Sequence, residues 1–136
     1  MIYLDHAATS HPKPDVVIDA VARWFREVGV SPDRGGGPQT RGCSDTFQRV
    51  RRAIAARTGH SPRRVALCSG ATEGLNLAIR ALATVDTHVL TTCYEHSSVV
   101  RPLHALQPSR NLRITRVSST DEMCRRLASG VGDLVV

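Results

Sequence analysis

The segment from Leu67 to Asn76, Leu-Cys-Ser-Gly-Ala-Thr-Glu-Gly-Leu-Asn, contains residue types that can bind an anion. An apolar run leads into a turn of small residues, and a helical pattern follows. The first amides of a helix have no intrahelical partner, and the helix dipole adds partial positive charge there. A phosphate can bind where Gly70 lets the backbone approach and where the Thr72 hydroxyl donates. A plain turn at Gly70 and a helix cap at Thr72 explain the same residues, so this segment alone leaves both interpretations open.

A histidine, His96, follows the next predicted strand, 24 residues after Thr72. The intervening helix and strand would return the chain to the same sheet edge, where the ring can face the anion site. Imidazole is flat and exchanges protons near neutral pH, which suits general acid–base catalysis. Taken singly, a histidine between a strand and a helix is also typical of a surface or capping position.

Composition excludes several other classes of chemistry. The four cysteines form no CxxC pair, which argues against a zinc knuckle or a thioredoxin-like motif; they are Cys43, Cys68, Cys93 and Cys124. The net charge is +6, but the arginines are scattered over predicted helices with few aromatic residues, so we do not expect a nucleic-acid partner. No secretion signal and no apolar run long enough to span a bilayer are visible, which favours a cytoplasmic protein with reduced thiols.

The hydrophobic pattern predicts two helices and then alternating strands and helices. The first helix runs from Asp15 to about Gly29 with its apolar stripe in the core, a loop covers 31–42, and a second helix covers 44–58. The alternating part is predicted as strands at 65–68, 88–92, 112–117 and 134–136 and helices at 72–82, 97–106 and 121–128. Such alternation predicts an α/β fold with a mainly parallel sheet.

Three segments together resemble one enzyme family. They are Tyr3-Leu4-Asp5-His6-Ala7-Ala8-Thr9, the segment around Thr72, and Tyr94-Glu95-His96-Ser97-Ser98-Val99-Val100-Arg101-Pro102-Leu103. In order and spacing they resemble the N-terminal part of class V aminotransferase-like enzymes that use pyridoxal 5′-phosphate (PLP), within the cysteine desulfurase-like branch. The resemblance implies the fold-type I PLP-dependent transferase architecture, with residues 1–60 as an N-terminal segment with helices and 61–136 as the first part of the large PLP-binding domain.

The resemblance also implies roles for individual residues. Ala71, through its amide, and Thr72, through its amide and hydroxyl, match the phosphate-binding positions. His96 matches the histidine that stacks on the PLP ring and helps to move protons at the substrate. Ala7 and Ala8 match small residues on the substrate side, in what looks like the family's N-terminal strand and turn.

Arg34, in the loop Gly29-Val30-Ser31-Pro32-Asp33-Arg34-Gly35-Gly36-Gly37, resembles a position near the dimer interface that is suited to a substrate carboxylate. As alternatives, the residues of the Ala7–Ala8 turn can serve as a helix-capping turn, and Arg34 can be a solvated loop residue.

Two groups that the family's chemistry needs are not identifiable in the chain. These are the lysine that bonds to the cofactor and the loop cysteine that attacks the substrate sulfur. The one lysine, Lys13, matches no cofactor lysine, and Cys68 and Cys93 fall on predicted strands, where a small buried hydrophobic residue is expected. We therefore expect an N-terminal portion of a longer enzyme, with a naturally short or split protein as the alternative.

The implied reaction converts L-cysteine to L-alanine and passes the sulfur on as a persulfide, in a homodimer that can serve a sulfur-acceptor protein. The alternatives are another class V activity (selenocysteine lyase, epimerase or transaminase) or a non-catalytic remnant that binds phosphate or a partner protein. No metal site is expected.

Overall fold

The computed structural model describes residues 2–32 and 34–136. Asp33, which belongs to the predicted Arg34 loop, lies outside the described residues. The chain divides into two compact units, Met1–Leu67 and Cys68–Val136. The predicted division into domains 1–60 and 61–136 stays a prediction.

The first unit contains helix α1 (Asp15–Glu27), helix α2 (Pro38–Thr58) and a 3₁₀ turn (Pro62–Arg64). Helix α2 begins six residues before its predicted start and replaces the end of the predicted 31–42 loop. Its first residue is Pro38, which a helix accepts at that position because the missing N–H has no intrahelical acceptor there. The helix ends as predicted at Gly59, which has the left-handed φ of 70°.

The predicted core role of the α1 stripe is wrong. No residue of α1 is buried, and the side chains of Val16 and Phe25 are both 72% exposed. Trp24 is half-buried. Periodicity identified the helix correctly, because α1 covers Asp15–Glu27, but periodicity does not say whether a partner surface lies against the apolar face.

The predicted buried strand at 65–68 is also wrong. Val65 has extended dihedral angles (φ −101°, ψ 111°), but residues 65–68 pair with no strand in the part of the chain that the structure describes. Leu67 and Cys68 are exposed rather than buried. An extended apolar run becomes a strand only when a neighbour accepts its backbone hydrogen bonds, and none does here. The segment 5–9, which resembles the family's N-terminal strand and turn, contains a turn at 6–8 and no strand.

The second unit confirms the parallel α/β architecture. Its elements are helix α3 (Ala71–Leu82), strand β1 (His88–Thr92), helix α4 (Ser97–Arg110), strand β2 (Arg113–Val117), helix α5 (Thr120–Ala128) and strand β3 (Leu134–Val135). The sheet order is β2-β1-β3, and both pairings are parallel. In register, Val89 lies opposite Ile114 of β2 and Leu134 of β3.

Helices cover both faces of this sheet. On one face, Val89 packs with residues of α3 and α4 in a cluster that also contains Ile79, Ala83, Val99, Leu103, Leu106 and Leu112. On the other face, Leu90 packs with Val117 and with Met123 of α5. Alternate residues of β1 therefore face opposite layers, as the two-residue period of a strand requires. In the sheet, β2 lies on one side of β1, and β3, the third strand in the chain, lies on the other side. The strand order therefore reverses direction at β1, which marks a topological switch point.

Helix α4 is four residues longer than predicted, because it continues through Pro108 to Arg110. The prolines at 102 and 108 lie inside the helix, and Asn111 closes it with a left-handed φ of 50°. Among residues 2–32 and 34–136, no helix has both the length and the apolar character needed to cross a membrane.

Candidate functional site

The N-terminus of α3 is open to an anionic ligand. Gly70 precedes the helix, and no side chain caps its first turn. Ala71 and Thr72 are the first two helical residues, so their amides have no intrahelical acceptor. A Cβ atom built on Gly70 would meet no atom within 4 Å, so a side chain there would fill space that glycine leaves open. The Thr72 side chain is exposed and does not cap the helix, which removes the capping interpretation of Thr72.

Ser69 and Glu73 flank this turn and are hydrogen-bonded to each other. The Ser69 amide and hydroxyl donate to Glu73 Oε2 at 2.6 and 2.8 Å. These two bonds, the backbone one first, lower the pKa of the Glu73 carboxyl from its ordinary value of 4.5. The carboxylate is thereby held against Ser69 and leaves the amides of Ala71 and Thr72 free.

His96 lies at the end of the turn that follows β1 and caps α4. Its Nδ1 accepts from the Ser98 amide at 3.2 Å, and the Ser98 hydroxyl lies 2.9 Å from the same nitrogen. Because a backbone amide can only donate, Nδ1 is an acceptor and the neutral ring carries its proton on Nε2. The predicted capping role is therefore real, and it leaves Nε2 for other chemistry.

Asn76, one helical turn after Thr72, joins the two helix N-termini. Its Nδ2 donates to the Thr72 carbonyl at 2.9 Å and, in a longer contact of 3.5 Å, to the Ser98 carbonyl. The structure thus connects the first turn of α3 with the turn that His96 caps. The sequence interpretation did not assign Asn76 a role, although an Asn four residues after a candidate ligand is a recognisable signal.

The turn that carries His96 is held by side chains at the end of β1. The Thr92 hydroxyl donates to Glu95 Oε1 at 2.6 Å and accepts from the Tyr94 amide at 3.3 Å. Beside it, Thr91 is 2% exposed, and its hydroxyl has no hydrogen-bond partner among the described residues. Backbone bonds then link Val99 and Val100 to the His96 carbonyl at 2.9 and 3.2 Å.

The buried roles predicted for Cys68 and Cys93 are wrong, because both thiols are exposed. Neither lies on a strand, since β1 ends at Thr92 and residues 65–68 are unpaired. The Cys68 thiol donates to the Gly70 carbonyl at 3.4 Å, next to the first turn of α3. Cys43 is the buried cysteine: its thiol donates to the Val30 carbonyl at 3.1 Å and anchors the loop before α2.

Ala7, Ala8 and Arg34 belong to Met1–Leu67. The two alanines lie in an exposed turn in which the Ala8 amide donates to the Asp5 carbonyl at 3.1 Å. Arg34 is exposed, and its carbonyl accepts from the Thr40 hydroxyl at 3.3 Å. The turn at 6–8 is present, and the substrate-side roles of these three residues stay predictions.

The ammonium of Lys13 is held in the N-terminal segment. Its Nζ donates to the Thr9 hydroxyl and to the Ser10 carbonyl, each at 3.0 Å. Across the described residues, no group of three His, Cys, Asp or Glu side chains is arranged to hold a metal ion.

Comparison with known proteins gives consistent matches. The aminotransferase class-V family profile matches residues 2–129. A cysteine desulfurase of Frankia sp. (strain EuIK1) is 36% identical over 104 residues, which cover 74% of this chain and 24% of that protein. A selenocysteine lyase of Bos taurus is 28% identical over 137 aligned positions, covering 85% of this chain and 31% of the relative.

Solved structures show the same fold. The apo structure of cysteine desulfurase from Thermococcus onnurineus NA1 superposes with a TM-score of 0.76 at 24% identity, over 89% of this chain and 31% of that one. A C-DES mutant with glycine covalently linked to the PLP cofactor gives a TM-score of 0.68 at 14% identity, over 90% of this chain and 33% of that one. The chain thus spans about a quarter to a third of the length of the relatives it matches.

Proposed function

The chain belongs to the aminotransferase class-V family, and we propose that it forms the N-terminal part of a PLP-dependent cysteine desulfurase. One observation carries the proposal. Within Cys68–Val136, the uncapped N-terminus of α3 and the His96-capped N-terminus of α4 are joined by a single side chain, Asn76. One turn has free donors for an anion, and the other carries an imidazole with one free ring nitrogen.

The residues at α3 fit the phosphate end of PLP. The amides of Ala71 and Thr72 and the Thr72 hydroxyl are donors, and the helix dipole adds positive potential. Hydrogen bonds to a charged acceptor are stronger than neutral ones, so three such donors would supply much of the binding free energy. Glu73, the acidic residue that follows Thr72 in the chain, bonds to Ser69 and not to these donors.

His96 is suited to proton transfer through one defined atom. PLP, when bound, supplies an electron sink for negative charge on the substrate carbon. Because Nδ1 accepts from Ser98, the neutral ring has its proton on Nε2 and would donate a hydrogen bond from that atom to negative charge on the substrate. Full transfer of the Nε2 proton would require Nδ1 to take up a proton in place of the Ser98 bond. The cap also fixes the plane of the ring, as stacking on a flat cofactor would require.

The other parts of the reaction are assigned by the family resemblance. Ala7 and Ala8 would line the substrate side, and Arg34 would bind the substrate carboxylate near the interface of a homodimer. The cofactor-bonding lysine and the cysteine that receives sulfur are assigned to the longer protein, since Lys13 is bonded within its own turn. The product would be L-alanine, with the sulfur passed as a persulfide to an acceptor protein in the cytoplasm.

Selenocysteine lyase is the second candidate, because the relative from Bos taurus aligns over 85% of this chain. The test is to supply the complete protein that contains this chain with L-cysteine or L-selenocysteine at saturating PLP and to measure alanine. The proposal predicts alanine and a protein-bound persulfide from L-cysteine. Alanine from L-selenocysteine alone would establish the second candidate, and alanine from neither would overturn both.

A further inference from the structure

We propose that Asn76 is a positioning residue that fixes the phosphate-binding turn of α3 relative to the turn that His96 caps. The functional reason for this bridge rests on the proposed function, whereas the hydrogen-bond geometry of Asn76 does not depend on it. Asn76 would not touch the cofactor, and it would act through Thr72 and His96.

The number of hydrogen-bond donors on the Asn76 carboxamide suits this role. An amide NH₂ group has two N–H bonds, and here one carbonyl acceptor lies on each helix. The acceptors are the carbonyl oxygens of Thr72 at 2.9 Å and Ser98 at 3.5 Å. Thr72 contributes two of the three proposed phosphate donors, and the Ser98 amide makes the bond that orients the His96 ring.

Apolar packing alone does not provide this alignment. Helices α3 and α4 also meet through Ile79 and Ala83 on α3 and Val99 and Leu103 on α4. Burial of these side chains is favourable but non-directional, so it tolerates small sliding of one helix along the other. A hydrogen bond has preferred distances and angles, so the Asn76 bridge is a directional restraint where the ligand would bind, and the 3.5 Å contact with Ser98 is its weaker half.

The test uses the 136-residue chain and amide hydrogen exchange read by NMR, with Phe25→Gln in every sample, the parent included, to reduce association through the exposed face of α1. The Gly74 amide, bonded to Gly70, reports on the α3 turn, and the Val99 amide, bonded to His96, reports on the α4 turn. The variants are Asn76→Ala, which removes the amide, and Asn76→Asp, which keeps its shape but replaces the donor nitrogen by an oxygen.

The matched control is Asn111→Gly. Asn111 also uses its Nδ2 atom, at 2.8 Å from Asp86 Oδ1, but at the opposite end of α4. Glycine accepts its left-handed φ of 50° without strain. This variant therefore loses a side-chain amide hydrogen bond, here to a carboxylate, in the same unit without touching the two N-terminal turns.

Both Asn76 variants should exchange about 3- to 10-fold faster at Gly74 and at Val99, relative to amides of β1, as expected for one lost hydrogen bond. Asn111→Gly should change neither ratio. The proposal is overturned when Val99 keeps its parental ratio in either folded Asn76 variant, or when the control changes both ratios equally. If Asn76→Ala does not fold, the Asn76→Asp ratios decide.

Inorganic phosphate, added as the probe, separates this proposal from the proposed function. In the parent chain it should slow exchange at Gly74 and at Val99, and in the Asn76 variants at Gly74 only. Slowing at both turns in the variants contradicts the positioning role. A parent that shows no phosphate effect contradicts the phosphate site, while the comparison without phosphate still decides the role of Asn76.

Discussion

Nδ1 of His96 lies 3.2 Å from the backbone nitrogen of Ser98 and accepts its hydrogen bond at the first turn of α4. A helix cap and a candidate catalytic group are therefore the same side chain. The cap uses one ring nitrogen, Nδ1, and the proposed contact with the substrate uses the other, Nε2. Substitutions at His96 can separate these two roles.

Asparagine at position 96 should keep the helix cap but should not replace the imidazole ring in catalysis. His96→Ala removes the acceptor for the Ser98 amide and should lower the free energy of unfolding by about 0.5–2 kcal/mol, whereas His96→Asn should keep it near the parental value. In the complete enzyme at saturating PLP, both variants should lose about 10²- to 10⁴-fold in turnover. Urea unfolding and alanine formation measure the two effects. Full turnover in His96→Asn would show that the ring acts only as a cap.

Gly132 should be intolerant of any side chain. Its φ is +103°, and a Cβ there would lie 2.6 Å from Cγ of the fully buried Leu90. We expect Gly132→Ala to lower the free energy of unfolding by more than about 2 kcal/mol, combining strain with overpacking.

The control is Gly130→Ala, because Gly130 also has a positive φ, +73°, but a Cβ there meets no atom within 4 Å. Gly130→Ala should lower the free energy of unfolding only by the cost of a left-handed conformation in alanine, about 1 kcal/mol. Equal losses in the two variants, measured by urea unfolding, would show that the approach to Leu90 carries no cost.

The sequence was most informative where local pattern and tertiary partners agree. The strand predicted at 88–92 is β1 without any change of boundary, because Val89 and Leu90 are each buried against a helix layer. The strand at 65–68 failed because pairing is a property of two segments and cannot be read from one. Helix α4 passed its predicted end because Pro108 does not interrupt it, and the helix closes only at Asn111, which has a left-handed φ of 50°.

The candidate site was predicted in the same uneven way. The motif around Thr72 identified the helix N-terminus, because a turn of small residues followed by a helical pattern is determined by residues that are adjacent in sequence. Asn76 was missed because its partner, the Ser98 carbonyl, is 22 residues away in sequence. The orientation of His96 was also out of reach, because it depends on a hydrogen bond to one particular ring nitrogen.

The Ser69 bond to Glu73 should weaken in acid. The folded pKa of Glu73 is lowered below its ordinary 4.5, so its contribution to stability is present above that value and is lost as pH falls through the folded pKa. The Ser69 amide proton should therefore titrate in NMR spectra with a midpoint below 4.5, and Glu73→Gln should abolish this titration.

Glu122→Gln is the matched control for this titration. The pKa of Glu122 is also lowered, first by its hydrogen bond to Arg126, but it lies at the start of α5. This variant should leave the Ser69 titration unchanged. A Ser69 midpoint at or above 4.5 in the parent would contradict the hydrogen-bonded geometry.

The exposed apolar face of α1 should make the isolated chain self-associate. Phe25 is 72% exposed, and Ile18 and Val21, which lie on the same side of the helix, are 53% and 51% exposed. Contiguous apolar surface of this kind favours association in water. Sedimentation velocity should show oligomers at micromolar concentration, and Phe25→Gln should shift the distribution toward monomer. A parent that sediments as a compact monomer would contradict this expectation.

The most direct test of the phosphate site compares PLP with pyridoxal, which lacks the phosphate, in calorimetric titrations of the chain. We predict that PLP binds the parent more tightly than pyridoxal. Thr72→Ala should weaken PLP binding by about 10- to 100-fold through loss of one hydrogen bond to a charged group, and Thr72→Ser should retain it. Pyridoxal binding should be the same in all three proteins. Equal affinity of the parent for PLP and pyridoxal, or an unchanged PLP affinity in Thr72→Ala, would contradict a phosphate site at the N-terminus of α3.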